Sequence, residues 1–345
     1  MKIAPGAPQR LGGFLDSHWM GVEEVTADAD CPWFGKAGRV RFVQELSAAQ
    51  PTSGHTTACV LCRTDNPRRL FTKAGWTFVR CTGCGLISLR PLPTPAQLAE
   101  HYEASYHNGR YADFTAAAGI REAIARDRLR LVSALVPVGP WLDVGCSTGT
   151  FIGEAARIGI TAEGIELSTA AVAQARARGL SVHQGSGESF TPSRRYAAVT
   201  AFDLIEHLPD PVAFVRRVST WLLPGGIFTL TLPNAASLAA CLMRRHWYYY
   251  TPPEHVHYFT PGTIRRLLDD NGFSRIAIRR ALKPMTLDYA VAQLGEFNPR
   301  LSRIAATLQV FVPGGWRSRL RQIPVGEMIV TARGASRHAN VFAAA

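Results

Sequence analysis

At 345 residues the chain is longer than an average domain, and length over about 150 predicts two. Hydrophobic residues make up 47% and charged residues 19%, which excludes a wholly disordered chain. The net charge is +12, and the basic side is almost entirely arginine, 34 Arg against 4 Lys. This balance admits nucleic acid or anionic substrates, yet no block of basic residues of the nucleic-acid type appears. No apolar run reaches the roughly 18 residues of a membrane span. The first residues show no apolar block of a signal peptide, so the cytoplasm is the default expectation.

Residues 1–55 read as a loose extension without sustained periodicity. Residues 56–92 form a compact cysteine module, in which Cys59-Val-Leu-Cys62 is followed after 18 residues by Cys81-Thr-Gly-Cys84. Two Cys-x-x-Cys knuckles at that spacing predict a structural zinc ion held by Cys59, Cys62, Cys81 and Cys84, with no ligand position left open for catalysis. A module this small needs such a staple. A disulfide framework is not expected from seven cysteines, an odd number, and Cys146 and Cys241 read as packing thiols. Residues 93–138 read as a helical linker, with Thr94 as N-cap of one helix and an amphipathic helix over 116–136.

From 139 to about 335, strand and helix patterns alternate. Strands are expected at 141–144, 161–165, 180–183, 197–202 and 227–232, with helices at 151–158, 170–178 (capped by Ser168), 211–223 and 263–271. The turn Leu223-Pro224-Gly225-Gly226 separates the third of these helices from its strand. Late strands at 275–281 and 327–332 flank a helical insert of roughly 288–312, and residues 336–345 read as a tail. Alternation of this kind predicts an α/β fold, a Rossmann-like seven-stranded doubly wound parallel sheet behind a small zinc ribbon.

The segment Leu142-Asp143-Val144-Gly145-Cys146-Ser147-Thr148-Gly149 joins the first strand to a helix. Glycines there let backbone approach a ligand, and the helix N-terminus aims its amides at it. Three readings compete: a dinucleotide fingerprint, in which Ser147 replaces the middle glycine; a nucleophile elbow, Gly-x-Ser-x-Gly; and an S-adenosylmethionine site. The segment resembles the first motif of class I methyltransferases. That resemblance implies cofactor contacts from Asp143, Gly145, Ser147 and Gly149. It implies a ribose-binding carboxylate at Glu166, and an adenine contact from Gly185-Ser186-Gly187-Glu188, with Glu188 taken as the contact residue. It also implies a further contact at Asp203. The stretch Phe202-Asp203-Leu204-Ile205-Glu206-His207-Leu208-Pro209 resembles that of methyltransferases of ubiquinone biosynthesis. The knuckle Cys81–Leu86, with Arg90-Pro91-Leu92-Pro93 and Tyr102, resembles bacterial methyltransferases with an N-terminal zinc ribbon. Sugar C-methyltransferases share this arrangement, and with it a segment matched here by Glu254-His255-Val256-His257-Tyr258-Phe259. They carry a further large C-terminal domain, whereas 86 residues follow Phe259.

The expected activity is therefore methyl transfer from S-adenosylmethionine to a small molecule or glycan, at oxygen. The base would be an imidazole oriented by a carboxylate: His255 beside Glu254, or else His207 or His257. Trp247-Tyr248-Tyr249-Tyr250 offers rings for stacking on the acceptor or for packing a lid. The alternatives are a ribosomal-type RNA base methyltransferase using the ribbon to bind nucleic acid, and a non-catalytic cofactor-binding protein.

Overall fold

The computed structural model describes residues 58–94, 97–98, 118–297 and 299–335. Expectations for 1–55, for Tyr102 and most of the linker, and for the tail lie outside them. At Thr94 the expected cap is present: its hydroxyl accepts from Gln97 N, and the Gln97 amide oxygen accepts from Thr94 N.

The cysteine module contributes β1 (Pro67–Lys73), β2 (Trp76–Cys81) and β3 (Ile87–Arg90), an antiparallel meander. Helix α1 (Ala118–Ser133) follows, then β4 (Trp141–Val144), α2 (Thr150–Arg157), β5 (Ala162–Glu166), α3 (Thr169–Ala177), β6 (Val182–Gln184) and β7 (Tyr196–Phe202). Next come α4 (Pro211–Trp221), β8 (Leu222–Pro233), α5 (Leu238–Met243), β9 (His257–Tyr258), α6 (Pro261–Asp269) and β10 (Ser274–Met285). Helices α7 (Leu287–Phe297), α8 (Pro299–Gln309) and α9 (Gly314–Arg317) lead into β11 (Arg321–Arg333).

The large sheet has seven strands in the order β10-β11-β8-β7-β4-β5-β6. It is parallel from β6 to β8, but β11 runs antiparallel to both of its neighbours, so the all-parallel expectation is corrected. The cause is the connection: α7 to α9 leave and return at one end of the sheet, which makes β10 and β11 a hairpin rather than a crossover. The Leu-Pro-Gly-Gly turn is likewise absorbed into β8, where the register slips between Tyr196 and Ala198 of β7. Gly225 takes φ 71° within it.

Side-chain chemistry places these elements. All seven residues of β7 are buried, as befits a strand covered on both faces. Phe214, Val215, Val218 and Trp221 of α4 pack toward Phe228 and Leu230 of β8 in one cluster. Helix starts are fixed by hydroxyl or carboxylate caps: Ser168 accepts from Ala171 N, Asp210 from Ala213 N, and Thr260 forms a reciprocal capping box with Thr263.

The two sheets are joined. Strand β9 adds to the edge of β3, with Ile87 opposite Tyr258 and Ser88 opposite His257. Beneath this seam Phe78, Ile87, Leu89, Trp247, Tyr250, Val256 and Tyr258 form one buried cluster. Trp247 is fully buried with ring centroids 5.4 and 5.2 Å from Tyr249 and Tyr250. Of the two roles expected for the aromatic run, Trp247 therefore takes packing. Cys241 is disulfide-bonded rather than a packing thiol.

Trp247→Ala should cost about 3–5 kcal/mol, the range for truncating a buried large aromatic. Urea denaturation followed by fluorescence checks this, and loss of the cysteine module ahead of the large sheet would show as a separate early transition.

Candidate functional site

Three parallel strands end side by side at one rim, and the loops beyond them carry the candidate residues. After β4 the chain turns through Gly145 (φ 75°), Ser147 (φ 49°) and Gly149 (φ 76°) into α2. A Cβ at Gly149 would stand 2.6 Å from Leu180 Cδ1, so this glycine is required by space as well as by angle. Gly187 is similarly tight, 2.8 Å from Phe214 Cε2 for an added Cβ. Both glycines are thus required by packing against the core behind the turn, and the carboxylate of Glu166 beside that turn is the acceptor pair that fits the ribose of S-adenosylmethionine.

The expected cofactor residues divide by environment. Glu166 ends β5 and accepts at both oxygens, from Ser147 N (2.9 Å) and Ser168 N (2.8 Å). It thus ties the glycine-rich turn to the start of α3, and each oxygen keeps a second lone pair for a ribose hydroxyl. Asp143 is buried and accepts the Thr200 hydroxyl at 2.6 Å. Burial pushes its carboxyl up to about 7, against the Thr200 bond and the Arg128 charge. Glu188 stands exposed on the loop after β6.

Asp203 directly follows β7, at φ 53°. It accepts from Arg128 of α1 at 2.7 Å and from the Thr231 hydroxyl at 2.8 Å. Burial would raise its pKa, but the Arg128 guanidinium and then Lys283 outweigh that and hold the carboxyl well below the usual range. Arg128 also lies over the Phe202 ring, 4.4 Å from its centroid.

Beyond Asp203, Leu204 packs over Gly145 and a short 3₁₀ turn presents Glu206 and His207. His255 comes to meet them. Its ring centroid is 4.6 Å from that of His207, and donor atoms of Glu206, His207 and His255 all lie within 4.8 Å of one another. His207 Nδ1 donates to the backbone carbonyl of Glu254 at 3.1 Å, and His255 Nδ1 to that of Tyr249 at 3.0 Å. With Nδ1 protonated in both rings, Nε2 is left as the basic nitrogen. Burial, then the neighbouring His207, keep His255 neutral by lowering its pKa well below the usual value. Burial likewise raises Glu206 well above the usual carboxylate range, reinforced by Asp203, and its Oε2 is buried without a hydrogen-bond partner. Two imidazoles and a carboxylate suit proton transfer, and the same donor types suit a divalent cation.

Two expectations are corrected. The Glu254 carboxylate does not orient His255; a carbonyl does, and Glu254 contributes its own backbone carbonyl to His207. His257 is not placed as a base: it is fully buried with Nδ1 on the Ser88 hydroxyl (2.9 Å) and Nε2 on the Pro209 carbonyl (3.2 Å), a strut between the two sheets. Several residues were missed. Glu206 was signalled by its place directly before His207. Glu327, buried, bonds Lys283 and the Tyr249 hydroxyl at the same rim. Its signal was a lone acid in an otherwise apolar strand. Arg128 gave no signal, since nothing in a helix full of arginines marks the one that reaches a carboxylate.

In the cysteine module the four sulfurs converge, with Cys59 Sγ 3.5 Å from Cys84 Sγ and Cys62 Sγ 3.4 Å from Cys81 Sγ. Thiolates at tetrahedral zinc with bonds near 2.3 Å are about 3.8 Å apart, so the set fits that ion. A Cβ on Gly83 would stand 2.5 Å from Thr64 Oγ1, which explains glycine in the second knuckle.

Because the folded-state Asp143 carboxyl titrates near 7 instead of near 3.8, the native state favours its protonated form. Its burden is absent below pH 4, grows as pH rises through that window, and is complete above 7. Asp143→Asn, which keeps the acceptor for Thr200, should therefore raise stability at pH 8 by about 1–3 kcal/mol and leave it unchanged near pH 4. Denaturation midpoints at the two pH values test this.

A family described as "Methyltransferase domain" matches residues 116–278. The chain is 34% identical over 125 residues to a ubiquinone biosynthesis O-methyltransferase of Xanthomonas axonopodis pv. citri (strain 306), covering 33% of this chain and 52% of that protein. It is 29% identical over 161 residues to the protein of that description from Thiobacillus denitrificans, covering 42% and 69%. The chain thus spans about half the length of the first of these relatives. Among solved structures, an S-adenosylmethionine-dependent methyltransferase from Archaeoglobus fulgidus matches 64% of this chain and 98% of its own, at 16% identity and a TM-score of 0.45. Residues 116–278 are thus similar to a methyltransferase domain, and the glycine-rich turn and the seven-stranded sheet lie within or around that stretch.

Proposed function

We propose that the chain transfers a methyl group from S-adenosylmethionine to a hydroxyl of a small-molecule or glycan acceptor, with His255 as general base. The observation that carries this is the Glu206–His207–His255 cluster set against the glycine-rich turn. Gly145, Ser147, Gly149, Glu166 and the loop bearing Glu188 would hold the cofactor, with Asp143 and Asp203 bracing it. The cofactor supplies an electrophilic sulfonium methyl. The chain's own part is to align the acceptor oxygen, exclude water and receive the hydroxyl proton at His255 Nε2. His207 stands next to His255 and relays the proton outward. A zinc ion in the four-cysteine set serves as a structural staple.

His255→Gln should lower kcat about a hundredfold or more, the range for losing a general base, while the affinity for S-adenosylmethionine stays within about twofold. Methyl transfer to a panel of glycosides and phenols, scored by release of S-adenosylhomocysteine, checks this. An unchanged kcat removes His255 as base. Separately, metal analysis should find one zinc per chain, and Cys59→Ser should lose it together with module stability.

A further inference from the structure

The insert between β10 and β11 presents an apolar face that the large sheet does not cover. Helices α7 and α8 form a hairpin in which the Ser302 hydroxyl bonds the Val291 carbonyl, and Asp288 receives both Gln309 and Arg317. Ser302, Ala305 and Gln309 are the less exposed residues of α8, whereas Ile304 and Leu308 turn outward, followed by Val310 and Phe311 at 74% and 83% exposure. Trp316 and Leu320 extend this face and are also exposed. Between residues 299 and 326 there are five arginines and no acidic residue. Arg321 sits over the Trp316 ring, 3.4 Å from its centroid.

Large exposed aliphatic and aromatic side chains amid an excess of arginine, of which Arg317 is paired with Asp288, describe an element that lies in a bilayer interface. We propose that this insert docks the protein on an anionic membrane surface, with Ile304, Leu308, Phe311 and Trp316 entering the headgroup and acyl boundary and the arginines meeting lipid phosphates. Charge complementarity selects this occupant. An isologous contact between two copies would set the excess arginines of one against those of the other. Nucleic acid would satisfy the arginines but leave the aliphatic side chains in water. The element lies on the surface rather than spanning, since no described helix is long and apolar enough to cross. Its mount is firm: β10 and β11 continue as a hairpin past Pro233, the last β8 residue in register with β11. Gln322 is fastened to Asp127 of α1, one residue before the Arg128 that holds Asp203. The docked face therefore adjoins the rim that carries Lys283, Glu327 and Asp203. On the methyl-transfer reading above, the acceptor is then an amphiphile presented at the bilayer surface; the docking itself does not rest on that reading.

The test is co-sedimentation of the full chain with vesicles. Phosphatidylcholine containing about a third phosphatidylglycerol should pellet the protein, pure phosphatidylcholine should not, and high salt should weaken the binding. The pair Phe311→Ser with Trp316→Ser should reduce the bound fraction about tenfold, with an unchanged melting temperature showing that the fold is intact. Should that pair itself unfold, Arg319→Gln with Arg303→Gln is expected to weaken binding without touching the apolar face. Failure of anionic vesicles to pellet the protein overturns the proposal. So does a dimer in light scattering that the serine pair dissolves, which would give the face to a second copy.

Discussion

Residues 255–259, which leave a turn at Pro252–Glu254 and enter β9, are the stretch to which both sheets and the rim are tied. Val256 shows this best: its amide donates to the Glu206 carbonyl while its own carbonyl accepts from Leu89 of the cysteine module. On either side, His255 faces the rim and His257 bridges Ser88 and Pro209. Val256, Tyr258 and Phe259 are buried to 1% exposure or less. Period-two alternation then follows from the backbone: odd positions carry imidazoles and the fully buried Phe259, even ones the apolar contacts to the module. Because the stretch is shared, the position of His255 against His207 depends on the module being folded. A zinc ion held by the four cysteines would thereby bear on the rim through packing, without contacting any reacting group.

The rim's electrostatics follow from desolvation. Three carboxylates, Asp203, Glu206 and Glu327, are brought close with Arg128 and Lys283. Asp203 has the guanidinium and is held ionised, while Glu206 faces no cation directly and is pushed towards its neutral form. Divergence of two neighbouring acids is the arrangement that separates a fixed charge from a group able to exchange protons. Burial likewise keeps His255 neutral, so that it is free to accept a proton.

Much of the large sheet was legible in the sequence because its strands are short apolar runs punctuated by glycine and by helix caps. Thr150–Arg157, Thr169–Ala177 and Pro211–Trp221 lie within two residues of the expected helices. The antiparallel β11 was not legible, since strand direction depends on how the intervening insert returns and leaves no periodic mark. The rim was legible as residue types but not as pairings. Glu254 looked like the partner of His255 because it is adjacent in sequence, yet it closes a turn whose backbone instead brings the Tyr249 carbonyl to His255 Nδ1. His257 looked equivalent to His255 and is on the same side by alternation, but meets Ser88 from the other sheet, a contact across 169 residues.

The most direct test of the account is calorimetric titration of the chain with S-adenosylmethionine, alongside Glu166→Ala. The account predicts micromolar binding by the native chain and its loss in the variant, because Glu166 would supply the ribose acceptors and ties the glycine-rich turn to α3. Equal affinity in the two proteins, or no binding by the folded native chain, would contradict it.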